Sequence, residues 1–111
     1  DRIFFPVAQS NLTQQAQILL DAQVGWLIGN AGLSVLIEGH ADERGTREYN
    51  LALGARRASA VRNYLVSRGV SADRLQIISF GKERPLEVCS QETCYSKNRR
   101  AVTVISSGLA G

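Results

Sequence analysis

Residues 37–61 read IEGHADERGTREYNLALGARRASAV, and their pattern decides the fold. The stretch opens as a strand, turns through a polar loop bearing Gly45, and becomes a long helix. Leu53, Arg57 and Val61 are spaced i, i+4, i+8 and share one helix face, which Asn50 opens. Arg56 points off that stripe and is free to be solvated. A cation on an apolar stripe is unfavourable unless an anion meets it. Helical side chains lean toward the N-terminus, so Arg57 reaches back toward the loop that carries Asp42. Two arrangements satisfy this pattern. In one, Asp42 and Arg57 form an ion pair that ties loop to helix. In the other they flank a small cleft, where the carboxylate takes a ligand ammonium and the guanidinium takes a ligand carboxylate in two-pronged fashion. The second arrangement complements a free α-amino-acid head group. In it, losing either residue would remove binding and leave the fold nearly as stable.

The flanking sequence extends this unit on both sides. Ile3-Phe4-Phe5 reads as a short strand stopped by Pro6. Asn11 or Thr13 caps a helix running to about Gly29, with Ala16, Leu20, Val24 and Leu27 facing inward. Leu33 to Glu38 is aliphatic enough for a largely buried strand, and Gly39 to Gly45 is the loop of interest. Thr46 caps the second helix, which Gly69 stops after about Arg68. Leu75 to Phe80 forms a third strand, residues 81–97 a long loop, and Arg99 to Ile105 a last strand. Residues 1–105 make one domain and residues 106–111 a frayed tail. The order is β-α-β-α-β-β.

Composition narrows the function classes. The chain has 111 residues, 44% of them hydrophobic and 21% charged, and a net charge of +3, which suits one globular domain. Basic residues are scattered and aromatics are not interleaved with them, so nucleic acid is not an expected partner. No apolar run is long enough to span a membrane. The chain begins on what reads as a domain element and not a signal peptide, which suggests a piece of a longer precursor. Cys89 and Cys94 lie in a polar loop without further zinc ligands nearby. A local disulfide fits them best and implies an oxidising compartment, with two free thiols as the alternative. His40 reads as a packed, hydrogen-bonded residue, Glu43, Arg44 and Arg47 as solvated, and Tyr49 and Tyr64 as helix packing. No cofactor or metal set is expected.

The segment GHADERGTREYNLALGARRASAV, with the later FGKERP and KNRRAV, resembles the OmpA-like peptidoglycan-binding domain, most closely its lipid-anchored, peptidoglycan-associated members. The likeness runs from about Asp1 to Ile105. It implies an α+β fold with a mixed four-stranded sheet and both helices packed on one face. It also implies non-catalytic binding of the diaminopimelate in the cell-wall stem peptide, anchoring the outer membrane to the wall. By motif, the ligand-gripping acid and base fall on Asp42 and Arg57, which favours the cleft. Asn50, Asn98 and Arg99 join them as ligand contacts, Ala41, Gly45 and Leu53 shape the pocket, and Arg100 is structural. The implied partners are peptidoglycan and the periplasmic β-propeller of the Tol system. The implied location is the periplasmic face of the outer membrane, reached through an N-terminal lipid anchor that lies outside this sequence. Members of the family commonly carry acids at the positions of Pro6 and Ala8, so the first-strand loop departs from the pattern. Two other readings compete. A wall hydrolase lacks a nucleophile beside a histidine or a convincing carboxylate pair. A pure protein-interaction module of the Tol system would bind the wall weakly or not at all.

Overall fold

The computed structural model describes residues 2–107. Strand β1 (Arg2–Phe4) leads through a turn to helix α1 (Gln14–Gly29). Strand β2 (Ser34–His40) feeds helix α2 (Arg47–Ser67). A single 3-10 turn at Ala72–Arg74 precedes strand β3 (Leu75–Gly81), helix α3 (Glu92–Asn98) and strand β4 (Arg100–Ser107). The sheet order is β1-β4-β2-β3, with β2 parallel to β3 and β4 antiparallel to both of its neighbours. This is the α+β architecture expected from the sequence.

Local chemistry sets the helix boundaries. The Thr13 hydroxyl accepts from the Ala16 amide and the Thr46 hydroxyl from the Tyr49 amide, so each helix starts on a side-chain cap. Ala16, Leu20, Val24 and Leu27 form the buried stripe of α1. Helix α2 buries Leu53, Ala58, Val61 and Leu65, and also the polar Asn50 and Arg57. Gly69 ends that helix unit at a φ of +107°, a conformation that side chains with a Cβ rarely adopt. Val35 and Ile37 of β2 point into the core against these stripes.

One close approach places the site. Gly39 near the end of β2 lies against Gly54 in the middle of α2, and a Cβ on Gly39 would collide with the Gly54 carbonyl. The contact brings the strand end directly over the first half of α2. The loop carrying Asp42 therefore sits above the face that carries Asn50, Leu53 and Arg57.

The structure departs from the sequence reading at several boundaries. Gly39 and His40 belong to β2 and not to the following loop, because β2 keeps pairing with β4 as far as His40↔Arg100. The long loop after β3 contains α3, which sequence pattern does not announce. The last strand begins at Arg100, one residue later than expected, and includes Ser106 and Ser107 of the expected tail. The remainder of that tail, residues 108–111, lies outside the described residues.

Cys89 and Cys94 are joined by a disulfide, with Cα atoms 5.8 Å apart. The bond holds α3, whose seven residues are too few to be stable alone. Asn98 supports the same helix by accepting from the Leu86 and Glu87 amides and donating to the Glu87 carbonyl. Reduction is expected to lower the unfolding free energy by about 2 kcal/mol, from the lost loop-closure term. Urea unfolding with and without a reductant measures this, and superimposable curves would contradict it.

Candidate functional site

Where the end of β2 meets α2, a cleft of about 260 Å³ opens to the surface. Its lining is Val7, Ala8, Asp42, Arg44, Gly45, Tyr49, Asn50 and Leu53. One wall is the turn after β1, another the loop after β2, and the base is the first half of α2.

Asp42 is 7% exposed, and its carboxylate is already engaged. Arg44 grips it with Nε 3.1 Å from Oδ1 and Nη2 2.7 Å from Oδ2, and the Arg44 amide donates to Oδ1 at 3.0 Å. Arg99 Nη1 stands 3.5 Å from Oδ2. Burial pushes the Asp42 carboxyl toward its neutral form, but the hydrogen bonds from Arg44 outweigh that and hold it below the usual carboxylate range. The group is an anion at neutral pH. The expectation that Arg44 would be solvated is corrected here. Half of it is exposed, yet its guanidinium is clamped to Asp42 and lies 4.3 Å from the centre of the Tyr95 ring.

Arg57 is where the structure differs most from the sequence reading. Its side chain is fully buried, at 0% exposure. Nε donates to the Gln9 carbonyl at 2.8 Å, Nη1 to the His40 carbonyl at 2.9 Å and Nη2 to the Pro6 carbonyl at 3.1 Å. The Phe5 ring lies 5.3 Å away. Burial, with Arg99 nearby, lowers its pKa to about 10 against the opposing pull of Asp42, so it is charged at neutral pH. Asp42 pairs with Arg44 and Arg99, and Arg57 is surrounded by carbonyls, so neither the direct ion pair nor a wet cleft facing both residues describes this state. Arg57 lies behind the Val7–Ala8 wall, since the carbonyls that flank that wall are its partners. The wall is a tight turn closed by the Gln9 amide on the Pro6 carbonyl, with Ala8 at a φ of +57°. A residue with a Cβ in that region is strained by about 1 kcal/mol.

The other expected site residues separate into two groups. Asn50 (2% exposed) donates to the Arg44 carbonyl at 2.7 Å and the Thr46 carbonyl at 3.0 Å, fixing the loop while it lines the cleft. Gly45, at a φ of +95°, and Leu53 line it as well. Arg99 (5% exposed) braces the site from behind, donating Nε to the Phe5 carbonyl and both terminal nitrogens to Glu92. Ala41 and Asn98 instead line a separate cavity of about 150 Å³ beside Cys89, on the other side of the Asp42 loop. Asn98 is occupied there with the 86–87 backbone, and the structure does not bring it to the cleft. Tyr49, expected to pack in the helix, is 45% exposed at the cleft rim. Arg100 donates to the Asn98 and Arg84 carbonyls, the structural role expected of it. Among the described residues, no group of three or more His, Cys, Asp or Glu side chains is gathered to hold a metal.

His40 supplies the carbonyl that holds Arg57, and its ring is packed as expected, 2% exposed with Nε2 3.2 Å from Glu38 and the Phe80 ring 5.4 Å away. Burial, assisted by Arg100 and Arg84 and opposed by Glu38, lowers its pKa below 6.5. The folded protein thus binds this proton less readily than the unfolded chain. The associated stability is whole above pH 6.5 and is lost as pH falls from there through the folded pKa. His40 is the chain's single histidine. Denaturant unfolding at about pH 7.5 and about pH 5.5 should show the native protein losing stability in acid, while His40→Gln shows a smaller loss. Equal losses in the two proteins would assign the acid sensitivity elsewhere.

Comparison with known proteins supplies the remaining observations. A sequence profile described as the OmpA family matches residues 4–99. A peptidoglycan-associated lipoprotein of Rhizobium meliloti (strain 1021) is 58% identical over 105 residues, 95% of this chain and 60% of that protein. One from Pseudomonas aeruginosa is 48% identical over 97 residues, 87% of this chain and 57% of that protein. The chain thus spans about three fifths of the length of these curated relatives. The crystal structure of the peptidoglycan-associated lipoprotein from Burkholderia pseudomallei superposes with a TM-score of 0.92 at 38% identity, covering 95% of this chain and 89% of that one.

Proposed function

The chain belongs to the OmpA family, and on that premise we propose that it binds peptidoglycan without cleaving it, gripping the free amino-acid centre of diaminopimelate in the stem peptide. The observation that carries this reading is the cleft with an ionised Asp42 on its wall and a charged, fully buried Arg57 behind the Pro6–Gln9 turn. Asp42 takes the ligand ammonium. Arg57 takes the ligand carboxylate, whose oxygens replace the Pro6 and Gln9 carbonyls as the strained turn moves aside. A guanidinium cradled by oxygens is set up for that exchange, because a carboxylate is a stronger acceptor than a peptide carbonyl. Asn50, Gly45 and Leu53 keep the cleft in shape, and Arg99 steadies Asp42.

In a longer, lipid-anchored protein this grip would tie the outer membrane to the wall. The cleft rim is apolar and exposed at Val7 (51%) and Tyr49 (45%), and we assign the Tol-system β-propeller to the same rim. Soluble propeller should then displace the protein from sacculi, and the purely protein-binding alternative would show propeller binding without sedimentation on the wall.

Co-sedimentation with purified sacculi tests the main reading. Walls carrying diaminopimelate should retain the protein. Walls carrying lysine, which lacks the extra carboxylate, should bind it at least about tenfold more weakly, the equivalent of about 1.4 kcal/mol. A free diaminopimelate-containing peptide should compete. Equal retention on both wall types would return Asp42 and Arg57 to the scaffold. Release of soluble muropeptides would make the protein a hydrolase.

A further inference from the structure

An ammonium arriving at Asp42 meets a cation already there, because Arg44 occupies both carboxylate oxygens. Two cations at one carboxylate repel each other, and a second anion within reach eases that repulsion. That anion is in place. Glu92 Oε1 lies 3.9 Å from Arg44 Nη2, and Glu92 is already bound to Arg99 at 3.1 and 2.7 Å. Tyr95 lies one helical turn from Glu92, and the Arg44 guanidinium stacks over its ring at 4.3 Å. The Tyr95 ring thus lies beside both the present Asp42 contact of Arg44 and the nearby Glu92 oxygen. The opposite side of α3 is tied down by the Cys89–Cys94 bond and by Asn98, so Glu92 and Tyr95 are presented from a fixed support.

We propose that Glu92, with Tyr95 as the track, is a second berth for Arg44, which leaves Asp42 for Glu92 when a ligand ammonium enters the cleft. Glu92 and Tyr95 are then positioning residues for ligand capture, acting through Arg44. This rests on Asp42 being the ammonium site. Before binding, Arg44 and Arg99 balance Asp42 and Glu92. After binding, the ligand ammonium takes over the Asp42 charge and Arg44 joins Arg99 at Glu92.

A double-mutant cycle with a soluble diaminopimelate-containing muropeptide, read by calorimetry on the disulfide-bonded protein, tests the handover. Glu92 is largely exposed, so Glu92→Gln keeps the fold. It should weaken binding about tenfold when Arg44 is present, and no more than about twofold in an Arg44→Gln background. Glu92→Asp, with a shorter reach, should show the same dependence. A tenfold loss that persists without Arg44 would mean that Glu92 acts through Arg99, and would overturn the proposal, as would no loss in either background. Asp42→Asn runs alongside. Undiminished muropeptide binding by that variant would sink the site reading itself, whereas lost binding with an uncoupled Glu92 sinks only the handover.

Discussion

Arg57→Met should unfold this protein far more easily than any neighbouring substitution on α2, with a stability loss of about 3–5 kcal/mol and a drop in Tm on the order of 10–20 °C. Methionine keeps most of the volume, so the loss is not mainly a cavity effect. What disappears is the donor for the carbonyls of Pro6, Gln9 and His40, which Arg57 draws together from the turn after β1 and the end of β2. Only the His40 contact is fully buried and the Pro6 carbonyl keeps the Gln9 amide, so the loss is mainly that of hydrogen bonds to a charged donor, about 1.5–3 kcal/mol each, at a turn that carries the strained Ala8. Thermal unfolding followed by circular dichroism reads the effect, with Arg56→Met, one position off the stripe, as the control. A Tm within a few degrees of the native protein would show that the three bonds are replaced by water at little cost, and that Arg57 serves the ligand alone.

Asp42→Asn should do the reverse. Binding to diaminopimelate-containing wall should fall at least about 100-fold, while stability changes by about 1 kcal/mol. The small stability effect follows from what the released cations still have. Arg99 keeps Glu92 and the Phe5 carbonyl, and Arg44 keeps the Tyr95 ring and solvent. Neither is stranded, in contrast to the usual outcome of removing one partner of a buried pair. The binding loss follows from leaving the ligand ammonium in the cleft without an anion. Sedimentation on sacculi and a melting curve on the same preparation separate the two effects. A collapsed Tm with binding retained would make Asp42 a structural residue.

These two variants also mark how far the sequence could be read. Asp42 at a strand end and Arg57 on an apolar helix stripe were legible, because charge in an apolar periodicity is itself a signal. The difference between their roles was not. Arg57 is satisfied by main-chain carbonyls, and carbonyls leave no mark on a sequence. Arg44, in a polar loop, reads as solvated. Its partners Tyr95 and Glu92 arrive from a helix about fifty residues away, as the numbering shows. That helix was itself hidden. The run ETCYSKN has no apolar stripe, and α3 is held by a covalent bond and an asparagine in place of a buried face. The cap at Thr46, the stop at Gly69 and the inward stripe of α1 were readable from local rules, because each depends on residues within a turn of one another.

The pairing of β1 with β4 joins the two extremes of the chain, and the Arg99 guanidinium meets the Phe5 carbonyl across 94 positions of sequence. Arg57 reaches the Pro6 and Gln9 carbonyls across 51 and 48 positions. Closures of that length come late in folding, since their entropy must be met before they return any contact energy. The helices rest on local contacts and the β2–β3 pair on a somewhat shorter closure, but the cleft has no complete wall until both ends have docked. If the cleft grips the wall as proposed, affinity for the wall reports on the docking of both terminal strands and not on α2 alone. A nascent, nicked or truncated copy lacking either terminal strand would carry Asp42, Asn50 and Arg57 and still lack the Val7–Ala8 wall of the cleft in its docked position.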